Sequence, residues 1–75
     1  MLERHEVDKI IDAVKTEGSY NPDEIMYLFE ESLTFEEYDK IYDFLSWVHK
    51  TGSKFGWGNI QAVYSQYLEA KNEQA

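Results

Sequence analysis

The sequence contains no cysteine, only one proline and only four glycines, and it has no long apolar run. Without cysteine, neither disulfides nor thiolate metal ligands are available. No apolar stretch approaches the roughly 20 residues that a membrane-spanning helix needs, and the N-terminus lacks the charged-then-apolar pattern of a signal peptide. We therefore expect a soluble, intracellular protein that has no membrane segment.

Length and apolar content predict one small domain. The chain has 75 residues, of which 43% are hydrophobic and 16% aromatic, and both fractions argue against intrinsic disorder. A chain this short buries only about 60% of the surface it exposes when unfolded, so its core must be thin. The prediction is a single domain over residues 1–75, with a frayed tail over about 71–75.

Hydrophobic spacing predicts an all-α fold, a compact bundle of three to four short helices. The first helix covers about residues 2–17, the second 22–32 and the third 35–51, and the last begins near Asn59. We expect the third and last helices to pair antiparallel, with the first two packed across them. The predicted core positions, in chain order, are Val7, Ile10, Ile11 and Val14; Ile25, Leu28 and Phe29, with Met26 on the flank; Tyr38, Ile41, Phe44, Leu45 and Val48; and Ile60, Val63, Tyr64, Tyr67 and Leu68.

Capping residues predict where these helices begin and end. Asn21 before Pro22 is a typical N-terminal cap followed by proline at the first helical position. Thr34 and Glu37 have the spacing of a capping box, in which each side chain binds the other residue's backbone amide. Gly52 is expected to close the third helix in a left-handed conformation.

The residues that carry chemistry do not form a catalytic or metal-binding pattern. His5 and His49 lie on different elements and lack the helical spacing of a zinc site. Gly52, Gly56 and Gly58 resemble a phosphate loop in spacing, but no strand precedes them and no Gly-Lys-Ser/Thr ending follows. We therefore predict that the chain is not an enzyme and uses no metal or cofactor.

Acidic residues are concentrated in the middle of the chain. The formal net charge is −8, and residues 23–43 contain eight acids against one lysine. The resulting negative field would steer a basic partner protein. A partner that normally holds nucleic acid has such a surface, and the chain would then act as a DNA mimic. The other interpretation is a solubilising exterior. This acidic band comprises Glu30, Glu31, Glu36, Glu37, Asp39 and Asp43.

Small, acidic, cysteine-free chains are also common among accessory and inhibitor proteins of phages and bacteria. That analogy of composition favours a regulator or inhibitor of the partner, and it identifies no particular protein.

A second candidate surface is the glycine-bearing loop before the last helix. Lys50, Lys54, Phe55 and Trp57 place cations among aromatic rings, which is the combination that binds single-stranded nucleic acid by stacking and charge neutralisation. Alternatively, Phe55 and Trp57 form a plug that seats the last helix on the core. An exposed Trp57 would favour nucleic acid, and a buried one would favour the plug.

Overall fold

The computed structural model describes residues 2–29 and 33–74, and these two segments contain four α-helices and no strand. Helix α1 spans Arg4–Glu17, α2 spans Pro22–Ile25, α3 spans Phe35–Thr51 and α4 spans Ile60–Gln74. A single 3-10 turn, Met26–Phe29, continues from α2. The predicted all-α bundle is confirmed.

The predicted caps set the helix boundaries. Asn21 accepts a hydrogen bond from the backbone amide of Asp23 at 3.1 Å, which starts α2. At the start of α3, Thr34 accepts from the amide of Glu37 at 3.2 Å, and the Glu37 carboxylate accepts from the amide of Thr34 at 3.1 Å. Gly52 ends α3 with a φ of 72°. This left-handed conformation is unfavourable for residues that have a Cβ atom, so glycine suits the position. Local sequence alone determines these boundaries.

The core is built from apolar side chains of every helix and from the loop before α4. Its aromatic part surrounds Phe44, whose ring centroid lies 5.1 Å from Tyr64, 5.5 Å from Tyr67 and 5.7 Å from Phe55. Such aromatic pairs stabilise a core beyond their buried area. The side chains with less than 2% exposure are Phe29, Phe44, Ile10, Ile25, Ile41, Leu45, Ile60, Glu6 and Val48.

A charged residue, Glu6, lies within this core. Its side chain is fully buried, one carboxylate oxygen accepts from the Glu3 amide at 2.8 Å, and Lys40 Nζ lies 2.9 Å from the other oxygen. Burial alone would lower the pKa of Lys40, but the hydrogen bond and charge of Glu6 outweigh it and raise that pKa. The single lysine of residues 23–43 therefore neutralises a buried acid of α1.

The second helix differs from its prediction. Regular α-helix ends at Ile25 and a 3-10 turn follows, while residues 30–32, the end of the predicted helix, lie outside the described segments. In a 3-10 turn, side chains three positions apart align, so Met26 and Phe29 are both buried. Leu28, predicted as core, is 40% exposed, and Met26, predicted as a flank residue, is in the core.

Helix α4 extends to Gln74, and Lys71 near its end lies 3.4 Å from the Asp43 carboxylate and 5.8 Å from the ring centre of Tyr67. The fraying of residues 71–75 stays a prediction. Leu68, predicted as core, is 37% exposed because it sits beyond the edge of the buried stripe. The antiparallel pairing of α3 and α4 stays a prediction.

Candidate functional site

A groove of about 540 Å³ between α3 and α4 brings part of the acidic band together. Glu36, Asp39 and Asp43 all line it, because positions i, i+3 and i+7 share one face of a helix. We call it the α3–α4 groove. Its lining residues are Phe35, Glu36, Asp39, Lys40, Tyr42, Asp43, Tyr64, Tyr67, Leu68 and Lys71.

The three carboxylates differ in their surroundings. Glu36 and Asp39 are exposed, and neither has a hydrogen bond or ion pair with any residue that the structure describes. Asp43 accepts a hydrogen bond from the Tyr67 hydroxyl at 2.8 Å and pairs with Lys71. Burial, and then this hydrogen bond, raise the pKa of Tyr67, so its hydroxyl remains a donor at neutral pH. Two of the three acids can therefore meet an external cation without first losing a described partner.

Large apolar side chains are exposed beside these acids. Phe35 is 83% exposed, and Tyr42 and Leu68 are each 37% exposed. The Tyr42 hydroxyl donates to Asp23 at 2.9 Å, which fixes its ring at the groove wall and raises the pKa of Tyr42. A surface that is both acidic and apolar can exclude water from a bound partner, which an acidic surface alone does poorly.

Sequence reasoning did not assign these apolar residues to a site. Leu68 is predicted as a core residue, and neither Phe35 nor Tyr42 is among the predicted site residues. The signal was nevertheless present, since Phe35 is nine positions before Phe44 and so lies about half a turn around α3 from that core residue. A large apolar residue outside the core stripe of its helix must lie on the surface or in an interface.

Of the other members of the predicted acidic band, Glu37 is described by the structure and does not line the groove. Glu37 accepts a hydrogen bond from His5 Nε2 at 2.7 Å and forms the capping box of α3. The hydrogen bond from His5, followed by that from the Thr34 amide, lowers the pKa of Glu37 from 4.5 to about 2. Glu30 and Glu31 lie outside the described residues. Glu37 thus has a structural role at the contact between α1 and α3.

The structure separates the two aromatic residues of the loop before α4. Trp57 is 55% exposed, whereas Phe55 is only 6% exposed and packs edge-on against Tyr20 at 4.9 Å between ring centres. The Phe55 carbonyl also accepts a hydrogen bond from the Tyr20 hydroxyl at 3.0 Å. The predicted nucleic-acid role of Phe55 therefore needs correction, because a buried ring cannot stack on a base. Of the two proposed plug residues, Phe55 alone is buried.

The two lysines predicted for the nucleic-acid site line different grooves, and Lys50 belongs to the last turn of α3 rather than to the loop. Lys50 lines a groove of about 220 Å³ with Asp43, Trp47 and Lys71. Lys54 lines another, of about 290 Å³, with His49 and the connector that follows α1. The predicted cluster of cations and aromatic rings is therefore more dispersed than the sequence suggested.

Metal-binding and membrane-spanning features are absent from residues 2–29 and 33–74. No group of three histidine, aspartate or glutamate side chains in those segments is arranged to hold a metal ion. Nor does any helix there combine the length and the apolar character needed to cross a membrane.

Comparison of the chain with protein-family models, with curated proteins and with solved structures finds no match.

Proposed function

We propose that the chain is a non-enzymatic binding module that holds a basic surface of a partner protein in the α3–α4 groove. The observation that carries this proposal is the convergence of Glu36, Asp39 and Asp43 on one groove that also exposes apolar side chains. Proteins that handle nucleic acid carry such basic surfaces, because they must neutralise phosphates. The module would regulate or inhibit a partner of that kind by occupying its basic surface.

The charge distribution supports a directed contact. Lys40, the one base among residues 23–43, lines the groove but pairs with the buried Glu6, so its charge is balanced within the chain. Glu36 and Asp39 face solvent, and exposed charges of one sign raise the association rate of an oppositely charged partner.

The magnitudes show that carboxylates alone are insufficient. Exposed ion pairs contribute about 0.2–1 kcal/mol each, so three of them give at most about 3 kcal/mol. A dissociation constant of 1 μM corresponds to about 8 kcal/mol. Burying one large apolar side chain contributes about 1.5–3 kcal/mol, so contacts with Phe35, Tyr42 and Leu68 would have to supply most of the remainder.

The test uses a fluorescein-labelled flexible peptide of alternating glycine and arginine as the basic probe. Because the carboxylates alone bind only weakly, the protein is titrated into the millimolar range. Binding is measured by fluorescence anisotropy at low salt for the natural chain and for the variant Glu36→Lys, Asp39→Lys, Asp43→Lys. We expect this triple reversal to abolish binding while the helical circular dichroism spectrum is unchanged. Retained binding would rule out the α3–α4 groove as the basic-partner site.

A matched control distinguishes the effect of the groove carboxylates from the effect of overall net charge. Asp12→Lys, Glu24→Lys, Glu73→Lys changes the net charge by the same amount at exposed positions outside the groove lining. This control should keep most of the affinity. If both variants lose binding equally, the attraction is due to overall charge and the proposed site is wrong.

Single-stranded nucleic-acid binding is the second candidate function, and the exposure of Trp57 favours it. An indole that is 55% exposed on a loop with Lys54 is available for stacking on a base. The burial of Phe55 and the separation of Lys50 from Lys54 weigh against it.

Titration of tryptophan fluorescence with a single-stranded oligonucleotide tests this alternative. Nucleic-acid binding requires saturable quenching that weakens steeply with salt and is lost in Trp57→Ala. The absence of quenching at low salt would remove the alternative.

A further inference from the structure

Two stripes of contrasting chemistry run side by side along α3. Phe35 and Tyr42 are seven positions apart, which places them on one face and about 10.5 Å apart along the helix axis. Glu36 and Asp43 are each one position further along, so the acidic stripe runs parallel to the apolar one. An element that complements this surface needs an apolar row next to a basic row.

Helix α4 forms the opposite wall of the groove and adds a third apolar contact. Leu68 is exposed at the groove, while Tyr67 beneath it is buried and hydrogen-bonded to Asp43. A groove between two helices with exposed apolar anchors is the usual receptor for a third, amphipathic helix. Apolar anchors on such a ligand recur at i, i+4 and i+7, and two helical turns match the distance between Phe35 and Tyr42.

One end of the groove already holds a cation from the chain itself. Lys71 Nζ lies 3.4 Å from the Asp43 carboxylate and 5.8 Å from the centre of the Tyr67 ring. A carboxylate beside an aromatic ring favours a positively charged side chain, and arginine suits this pair better than lysine because it can stack and form two hydrogen bonds. The position of Lys71 thus shows which kind of ligand group this end of the groove accepts.

We infer that the α3–α4 groove binds a basic amphipathic α-helix of a partner protein, an inference that rests on the proposed function. The apolar row of that helix lies on Phe35, Tyr42 and Leu68, and its arginine or lysine residues face Glu36 and Asp39. A partner arginine replaces Lys71 at Asp43. Strand addition is not available to the partner in residues 2–29 and 33–74, because those segments contain no sheet edge.

The test compares two labelled peptides that have the same leucine, arginine and alanine content. In one, leucine recurs at i, i+4 and i+7 with arginine on the adjacent face, and in the other the order is scrambled so that no amphipathic face forms. We expect the amphipathic peptide to bind at least tenfold more tightly and to gain helical circular dichroism on binding. Equal affinity for the two peptides would overturn the inference. So would a central proline, which breaks the peptide helix, if it made the amphipathic peptide bind more tightly than the same peptide without proline.

A pair of variants locates the contact. The double variant Phe35→Ser, Leu68→Ser removes two exposed side chains, so the fold should persist. Its affinity for the amphipathic peptide should be at least tenfold lower than that of the natural chain. The flexible glycine-arginine peptide should bind this variant as it binds the natural chain. The exposed Leu28, which lies outside the groove, supplies the control Leu28→Ser, which should leave both affinities unchanged. Unchanged binding of the amphipathic peptide to the Phe35 and Leu68 variant would contradict the inference.

The experiments also separate this inference from the proposed function. In one outcome, the flexible peptide binds the natural chain but not the triple reversal, and the amphipathic peptide binds no better than its scrambled form. That outcome supports the proposed function and contradicts the inference of a helical partner. If neither peptide binds, both fail.

Discussion

Lys40 of α3 lies 2.9 Å from the carboxylate of Glu6 in α1, and the Glu6 side chain is completely buried. The two residues are 34 positions apart in sequence, so the pair holds together two helices that are distant along the chain. The Lys40 side chain keeps 36% of its surface exposed, which leaves the ammonium group partly hydrated while it neutralises the carboxylate. This arrangement gives the two partners unequal roles in stability.

Replacing Lys40 by methionine should therefore destabilise the fold more than replacing Glu6 by glutamine. Lys40→Met leaves a buried carboxylate without its cation, and we expect a loss of about 2–3 kcal/mol, below the 3–5 kcal/mol of a fully buried pair. Glu6→Gln keeps an acceptor for the Glu3 amide and lets Lys40 extend into water, so it should cost about 1 kcal/mol.

Urea unfolding of the two single variants and the double variant measures this difference. The double variant should be more stable than the sum of the single losses predicts, by about 1 kcal/mol or more. Additive losses would mean that Glu6 and Lys40 do not stabilise each other.

The contact between His5 and Glu37 predicts a pH dependence of stability. The pKa of Glu37 in the folded chain, about 2, is below its ordinary value of 4.5. The contact therefore contributes its full stabilisation above pH 4.5, and this stabilisation is lost as the pH falls from 4.5 toward 2. The difference in unfolding free energy between the natural chain and Glu37→Gln should therefore shrink over that range. Thermal unfolding at several pH values checks this, with the exposed Glu36→Gln as the control. A difference that does not change with pH would contradict the assigned interaction.

The two aromatic residues of the loop before α4 should differ sharply in their effect on stability. Phe55→Leu removes ring contacts with Phe44 and Tyr20, and we expect a loss of about 1–1.5 kcal/mol. Trp57→Ala changes an exposed side chain and should alter the unfolding free energy by no more than about 0.5 kcal/mol. Urea denaturation of both variants provides the comparison. A large loss in Trp57→Ala would show that this indole has a core role after all.

Removing the cation that the chain supplies to its own groove should strengthen the binding of an external one. Lys71→Met keeps an aliphatic stem over Tyr67 but frees Asp43, and an exposed ion pair of about 0.2–1 kcal/mol corresponds to a gain of about 1.4- to 5-fold. Anisotropy titration with the glycine-arginine peptide measures the gain. Lys54→Met makes the same change in net charge outside the groove and should have a smaller effect. Equal effects of the two variants would mean that Lys71 does not compete for the site.

The parts of the fold that local sequence determines were predictable. The capping box of Thr34 and Glu37 and the glycine cap at Gly52 involve residues within a few positions of one another, and the structure places them as predicted. The α2 region was not predictable to the same degree, because its change to a 3-10 turn replaces Leu28 by Met26 in the core. The turn packs against α1 and α3, and a helical period of 3.6 carries no information on such contacts between distant parts of the chain.

The candidate site was predictable only in part. The spacing of Glu36, Asp39 and Asp43 places them on one face, and the structure shows that this face lines a groove. The same reasoning could not show that Glu37 binds His5, since the two residues are 32 positions apart. Nor could it distinguish the buried Phe55 from the exposed Trp57, because both lie in an irregular loop where no periodicity reports burial.

The charges along α3 also affect how the molecule turns in solution. Its first turn carries Glu36 and Glu37 and its last turn carries Lys50, so the side chains form a dipole directed against that of the peptide backbone. A positively charged body that comes within about 10 Å at 0.1 M salt exerts a torque that rotates the acidic end of α3 toward it before any contact forms. Encounters therefore begin already oriented, and added salt should slow association more than it shortens the lifetime of a complex.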